Sequence, residues 1–370
     1  MAQIVTVDHA KAALESCGYG IQAIHQINEG SNHFVFMITL ADGRPAICKF
    51  ARIRETEEGL SEGNRDTLFG GELSLGREAY LFQMIRSCTG VATPLVYGVH
   101  DSAYGKFILL ECMSGISQKE CMVRSGYSRK VFLDSMEYLG RDFAKVQSIT
   151  FPSFGNIMEN SVIDPQGLTN FSDYFRRVVD MRIERCVQKN TFTPAETRQV
   201  TEFFHNKLEQ LRPHFDAAVT PPTLVFTDMH AENFFTDEAG IPTGYFDLES
   251  AQAAPAALEF YGFRFFLFNF YDSGCFREAE DAFFRGYTAA GGKFAPKCQA
   301  DEDAINFLAG CRLLELAQSY WGYIDGIRDT WGQDMKDLLF DYMRTDVVNY
   351  DAIGAIWRQR DHQPLVPAKD

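Results

Sequence analysis

Thr227-Asp228-Met229-His230-Ala231-Glu232-Asn233, with Gly244-Tyr245-Phe246-Asp247-Leu248-Glu249 after it, is the stretch on which the reading of this chain turns. Asp228 and Asn233 stand five residues apart, directly after the apolar strand signal Leu224-Val225-Phe226. Asp247 follows Asn233 by 14 residues and closes a second strand, Thr243–Phe246, which a turn at Glu238–Pro242 pairs with the first. Three oxygen-bearing side chains then converge at one edge of a small hairpin. Magnesium takes hard oxygen ligands, usually one or two carboxylates plus phosphate oxygens and water, and Asn233 with Asp247 suits it. A carboxylate set off from the metal orients an acceptor hydroxyl and takes its proton, and Asp228 suits that task. A D-x₄-N pair alone is more often two turn residues. The third carboxylate, and what lies upstream, change the balance.

Upstream, residues 8–17 read as a helix that Asp8 can cap and Gly18 stops. Phe34–Leu40 and Arg44–Ala51 read as a hairpin around Ala41-Asp42-Gly43. Residues 52–71 are polar and glycine-containing, an exposed loop. Leu73–Ser87 has helical spacing, with a face made of Leu75, Ala79, Phe82 and Ile85. Val91–Val99 and Phe107–Met113 read as two short strands. Lys49, between Cys48 and Phe50 on the second hairpin strand, is expected on the inner surface of this lobe. There its ammonium is a point charge for nucleotide phosphates, and Glu78 on the following helix can pair with it. Gly30-Ser31-Asn32-His33 leads into the hairpin, where Ser31 and Asn32 would let backbone N–H groups approach phosphates. Leu109-Leu110-Glu111-Cys112-Met113 ends at a junction whose extended backbone, at Glu111 and Met113, can bond a nucleobase. Past Gly115 the pattern becomes helical, apart from the strands around Asp228 and Asp247, and continues so to about residue 358. The boundary between a nucleotide-binding lobe, 1–114, and a catalytic and acceptor-binding lobe, 115–370, falls at Ser114-Gly115.

Composition narrows the alternatives. The 370 residues carry 50 acidic and 35 basic side chains, a formal charge of −15. A nucleic-acid binder needs a basic stripe, and a protein docking on anionic lipid needs a basic face, so both are disfavoured. The charge is compatible with a cationic small-molecule partner or with solubility alone. The nine cysteines are scattered with no C-x-x-C pair, which fits reduced thiols in a cytoplasmic protein. The most apolar run, Leu258–Tyr271, contains Glu259 and Arg264 and is too short to span a bilayer, so a buried helix is expected.

The order of these pieces resembles the aminoglycoside phosphotransferase/choline kinase-like family, relatives of the protein kinases. The resemblance runs over residues 20–290: the hairpin with Lys49, the helix with Glu78, the linker Leu109–Gly115, the loop Asp228–Asn233 and Asp247. The family loop reads H-G-D-x-H-x-x-N. Here Asp228, His230 and Asn233 match, Phe226-Thr227 replaces the first His-Gly, and Glu232 stands where glycine is common. The aromatic, glycine-ended turn Phe151-Pro152-Ser153-Phe154-Gly155 also recurs in the family.

The resemblance implies an α+β, bilobal protein-kinase-like fold, with a small β-rich N-lobe and a large, mainly helical C-lobe. It implies Asp228 as catalytic base, Asn233 and Asp247 on Mg2+, and Lys49 paired with Glu78 on the phosphates of ATP or GTP. His230 would brace the loop. Glu232 and Glu249 would meet either a cationic acceptor or solvent. The expected activity is O-phosphorylation of a small hydroxylated molecule, an aminoglycoside-like antibiotic first. The alternatives are a metabolite kinase of the choline, methylthioribose or homoserine type, and a nucleotide-binding pseudokinase. A protein kinase is disfavoured, because no Ala-Pro-Glu-like segment follows Asp247.

Overall fold

The computed structural model describes residues 4–29, 33–51, 74–159, 170–217, 221–266, 273–294, 296–322 and 329–360. The polar stretch expected to loop out at 52–71 lies outside them, as do Ser31 and Asn32. Helix α1 (Val7–Ser16) is capped by Thr6, whose hydroxyl accepts from His9 N at 3.3 Å. Asp8, the expected cap, instead lies in the first turn, where its charge complements the helix dipole.

A five-stranded antiparallel sheet follows: β1 (Ile21–Glu29), β2 (His33–Leu40), β3 (Pro45–Ala51), β4 (Val96–Ser102) and β5 (Gly105–Glu111), in the order β1-β2-β3-β5-β4. Strand β1 was not legible as a strand, because register shifts between Ile21 and Ala23 and between Gln26 and Asn28 break its two-residue period. The period of β3 sends Cys48 and Phe50 to one face, where they pack with Phe36, Phe107 and the Ala10, Ala13 and Leu14 side of α1. It turns Ile47 and Lys49 to the other face. Helix α2 (Leu75–Thr89), capped by Ser74, covers that face through Leu75, Ala79, Phe82 and Ile85. The same helix buries Glu78 in the layer that Lys49 enters.

Two small sheets carry the rest of the site. Strand β6 (Ile116–Ser117) joins β9 (Phe234–Thr236) and β10 (Pro242–Tyr245) in the order β10-β9-β6. Strands β7 (Gly155–Asn156), β11 (Gln252–Ala254) and β8 (Thr223–Val225) form the other, in the order β7-β11-β8. The expected hairpin is therefore corrected. The strand before Asp228 pairs with β11, and the strand before Asp247 pairs with β9, the β-forming run that directly follows Asn233. The turn closing β9 to β10 is held by Asp237, whose N–H reaches Ile241 O at 2.9 Å.

The helical remainder comprises α3 (Gln118–Arg124), α4 (Arg129–Val146), α5 (Phe171–Gln188), α6 (Pro194–Ala217), α7 (Phe260–Phe266), α8 (Ser273–Ala289), α9 (Gln299–Tyr320), α10 (Trp331–Thr345) and α11 (Tyr350–Arg360). One core runs from α2 through α4 and α8, where Phe82, Phe143, Phe226, Tyr245 and Phe283 meet. There α4 and α8 approach backbone to backbone: a methyl at Gly140 would strike Phe283 O, and one at Gly286 would strike Glu137 O. A second core joins α5, α6, α9 and α10 through Phe175, Phe204, Leu308, Leu314 and Leu339. Phe260–Phe266 of the apolar run forms a helix, buried over residues 260–265 as expected, and 267–272 lie outside the described residues. No helix among the described residues is long and apolar enough to cross a membrane.

The linker after β5 is pinned to the β9–β10 hairpin. Thr243 Oγ1 donates to Ser114 O at 2.8 Å. Gly115 follows at φ +115°, and a Cβ there would lie 2.8 Å from Thr236 O. Gly115→Ala is expected to destabilise the protein by about 1–3 kcal/mol, since both the backbone angle and a neighbouring carbonyl oppose the methyl. A lower urea midpoint at unchanged slope is the measurement.

Candidate active site

The sheet–helix layer brings Lys49, Glu78 and Asp247 to one point. Lys49 Nζ lies 3.0 Å from each oxygen of Glu78 and 2.9 Å from Asp247 Oδ1, with Glu249 Oε2 at 4.0 Å. Burial works against the ammonium, but Asp247, Glu78 and Glu249 outweigh it and hold its proton affinity above the usual lysine value. The same ammonium draws Asp247 below the usual carboxylate range. Burial pushes Glu78 upward against the pull of Lys49. His33, at the start of β2, is lowered to about 3 by burial and then by Lys49. Its ring is therefore neutral, and the 3.5 Å approach of Nε2 to Glu249 is not an ion pair.

Arg77, one residue before Glu78, is buried and gives all three of its guanidinium nitrogens to backbone carbonyls. Nε donates to Ile157 O at 2.6 Å, and Nη1 and Nη2 donate to Glu249 O and Ala251 O. These bonds tie α2 to the segment that follows Asp247. Three carboxylates (Glu78, Asp247, Glu249) thus face two cations (Lys49, Arg77), so the cluster is one negative charge in excess.

The Asp228 loop is built around a costly backbone. Thr227 adopts φ +65°, in the left-handed region, and Asp247 adopts φ +57°. A β-branched residue in that region costs about 1–3 kcal/mol, which is why glycine suits the position before the aspartate. Three hydrogen bonds hold the turn. Thr227 Oγ1 donates to Ser250 O at 2.9 Å, and the N–H groups of Phe226 and Thr227 donate to the two oxygens of Glu259 at 2.9 and 3.3 Å. Glu259 lies at the end of the 3-10 turn Ala256–Glu259 and is fully enclosed. Sequence reasoning noted it only as a charge in an apolar run. An isolated acid at such a place, 31 residues after Asp228, was the available signal.

Asn233 closes the loop. Its Nδ2 donates to Asp228 O at 2.9 Å, its N–H reaches His230 O at 2.9 Å, and its O accepts from Phe246 N at 3.1 Å. With Nδ2 committed to the loop, Oδ1 is the side-chain atom of Asn233 with the chemistry of a hard oxygen ligand. His230 Nδ1 accepts from Glu232 N at 3.3 Å, a bond inside the loop. One amide oxygen and the Asp247 carboxylate, beside a cluster in negative excess, form a donor set that fits magnesium with phosphate and water completing it.

The remaining predicted residues are placed as follows. The carboxylate of Glu111 accepts from Leu95 N at 3.0 Å and lies 3.5 Å from Arg86, and its backbone N–H donates to Leu95 O at 2.8 Å, so neither its side chain nor its N–H is left for a nucleobase. The thioether of Met113 lies over Gly244 on β10, where a methyl would strike it. Glu249 belongs to the Lys49 cluster, and Glu232 pairs with Lys119 at 3.3 Å. Neither is drawn to Asp228. The side-chain partner of Asp228 is Arg312 of α9, whose Nη2 lies 3.1 Å from Oδ1. Sequence analysis did not single out Arg312 or Arg77.

No protein-family model and no curated protein matches the sequence. Solved structures do match over most of the chain. A Thermobifida fusca protein assigned as a fructosamine-3-kinase superposes with a TM-score of 0.61 at 14% identity, covering 92% of this chain and 98% of that one. An aminoglycoside 2′-phosphotransferase-IIIa in a GDP complex gives 0.60 at 12%, covering 92% and 98%. An ethanolamine kinase from Plasmodium vivax gives 0.53 at 11%, covering 88% and 84%. The chain has the α+β, protein-kinase-like fold of these small-molecule kinases and phosphotransferases. The resemblance read from Asp228–Asn233 holds at the level of three-dimensional structure.

Glu259 carries a testable pH signature. Burial raises its carboxyl from 4.5 to about 7, against the pull of the two backbone N–H groups. The folded chain therefore keeps this proton to higher pH than the unfolded chain does. The stabilisation is complete below pH 4.5 and is lost as pH rises through about 7, a change of about 3 kcal/mol when complete. Glu259→Gln removes this slope. Whatever constant offset the amide brings, urea midpoints at pH 5 and pH 8 should show the variant gaining on the wild type as pH rises.

Proposed function

We propose that the chain is a nucleotide-dependent O-phosphotransferase that phosphorylates a small hydroxylated molecule. The observation that carries this reading is the meeting of Lys49, Glu78 and Asp247 beside the loop that presents Asp228 and Asn233. In this reading Lys49, fixed by Glu78, holds the phosphates of ATP or GTP. Asn233 Oδ1 and Asp247 would hold magnesium, which when bound would neutralise charge on the phosphate oxygens. Asp228 takes the proton of the acceptor hydroxyl as its oxygen attacks the γ-phosphorus. The backbone from Glu111 to Met113 receives the nucleobase, and the phosphate role assigned to Ser31 and Asn32, which lie outside the described residues, belongs to the same reading. The lobes divide at Ser114–Gly115, where the pinned linker supports the boundary.

For the acceptor, aminoglycosides lead, with amino alcohols and sugar amines beside them, because structures of this fold are described as kinases of those classes. The placement of Glu232 and Glu249 lends no support to a cationic subsite at the base. A pseudokinase reading is disfavoured by the full set of chemical groups.

The test is ADP release from Mg-ATP with kanamycin, choline, ethanolamine and a glycated amine as acceptors. At least one is expected to stimulate turnover, and Asp228→Ala should lower the stimulated rate about 10²–10⁴-fold. A raised melting temperature with Mg-ATP but no stimulated turnover favours a binding protein. Turnover within a few-fold of wild type in Asp228→Ala removes Asp228 as the base.

A further inference from the structure

Arg312 reaches Asp228 from α9, 84 positions further along the chain. Its own position is set from behind. Nη1 lies 3.0 Å from Glu315 Oε2, one turn on along the same helix. Glu315 in turn accepts from the Tyr261 hydroxyl of α7 and lies 3.5 Å from Arg182 Nη2 of α5. The guanidinium also lies 5.4 Å from the centroid of the Tyr261 ring. Arg182 is 2% exposed and Glu315 8% exposed, so this end of the chain of charges cannot drift. Asp228 is the opposite case. Its side chain is 35% exposed, and Glu259 fixes the backbone before it but not its carboxylate. The four groups Arg182, Glu315, Arg312 and Asp228 alternate in sign and sum to zero.

Resting on the reading of Asp228 as the base, we propose that Arg312 is a positioning residue. It holds Asp228 by Oδ1 so that Oδ2 is the oxygen that meets the acceptor hydroxyl. The acceptor O–H bond breaks toward Oδ2 as the new O–P bond forms. The bond from phosphorus to the nucleoside diphosphate breaks with its electron pair, and the proton leaves Asp228 to solvent afterwards. A planar guanidinium can bridge two carboxylates in fixed directions, whereas an ammonium is a point charge that fixes neither. Misplacement of a reacting group by about 1 Å costs on the order of 10²-fold in rate.

The test uses the full chain with Mg-ATP, with water as the acceptor and the panel above in parallel, and crystal structures of wild type and Arg312→Gln. Arg312→Ala is expected to lose about 10²-fold in kcat with KM for ATP unchanged. Guanidinium ion should restore part of it and urea none, and Arg312→Lys should fall between. In Arg312→Gln the Asp228 carboxylate should leave its wild-type rotamer. On an Asp228→Asn background the second change should cost little more, since the two residues act as one unit. The proposal is overturned by wild-type kcat in Arg312→Ala, by an unmoved Asp228 rotamer, or by full additivity. If Asp228→Asn itself keeps its activity, the base reading fails and not only this one. The rotamer reports on Arg312 even where no acceptor turns over.

Discussion

A lysine ammonium enclosed between a sheet and a helix cannot stand without carboxylates around it. Removing one partner of such a buried pair typically costs about 3–5 kcal/mol. Lys49 meets this constraint with Glu78 from α2 and Asp247 from the segment after β10. One residue of register in β3 would turn Lys49 to the α1 side and bring Cys48 or Phe50 against the acids. The register of the sheet, the seat of α2 and the approach of the β9–β10 hairpin are thus solved together around one charge.

The Asp228 loop rests on a different kind of support. Its backbone is strained at Thr227 and held by the carboxylate of Glu259, while the Asp228 carboxylate is bonded by Arg312. Both supports come from the helical part of the chain, so the 3-10 turn before α7 and helix α9 do more than fill the second core. The acidic excess of the chain is not gathered at this loop. Glu249 answers Lys49, Glu232 answers Lys119, and the charges around Asp228 cancel.

What could be read in advance follows from chemistry that needs particular side chains in a fixed order. Asp228, Asn233 and Asp247 announce themselves by residue type and spacing, and Lys49 and Glu78 by their places on a strand and a helix. The supports were hidden for physical reasons. Arg77 and Arg312 look like ordinary solvated positions on amphipathic helices, and only the fold shows them turned inward. Glu259 hides in an apolar run. The strands β6, β7 and β11 have two or three residues each, too few for any alternation. Gln252-Ala253-Ala254 is extended because Thr223–Val225 and Gly155–Asn156 lie on either side of it. The pairing of β8 was misassigned because the nearest strand in sequence was not the nearest in space.

Arg77 gives the molecule one more property. An arginine whose three guanidinium nitrogens are all spent on carbonyls, one after β7 at Ile157 and two after β10 at Glu249 and Ala251, ties α2 to both segments. Swinging the helix outward would strand a cation and three acceptors in the interior at once. The seat of Glu78 beside Lys49 is thus held twice, by the ion pair itself and by its neighbour's bonds to backbone across the layer.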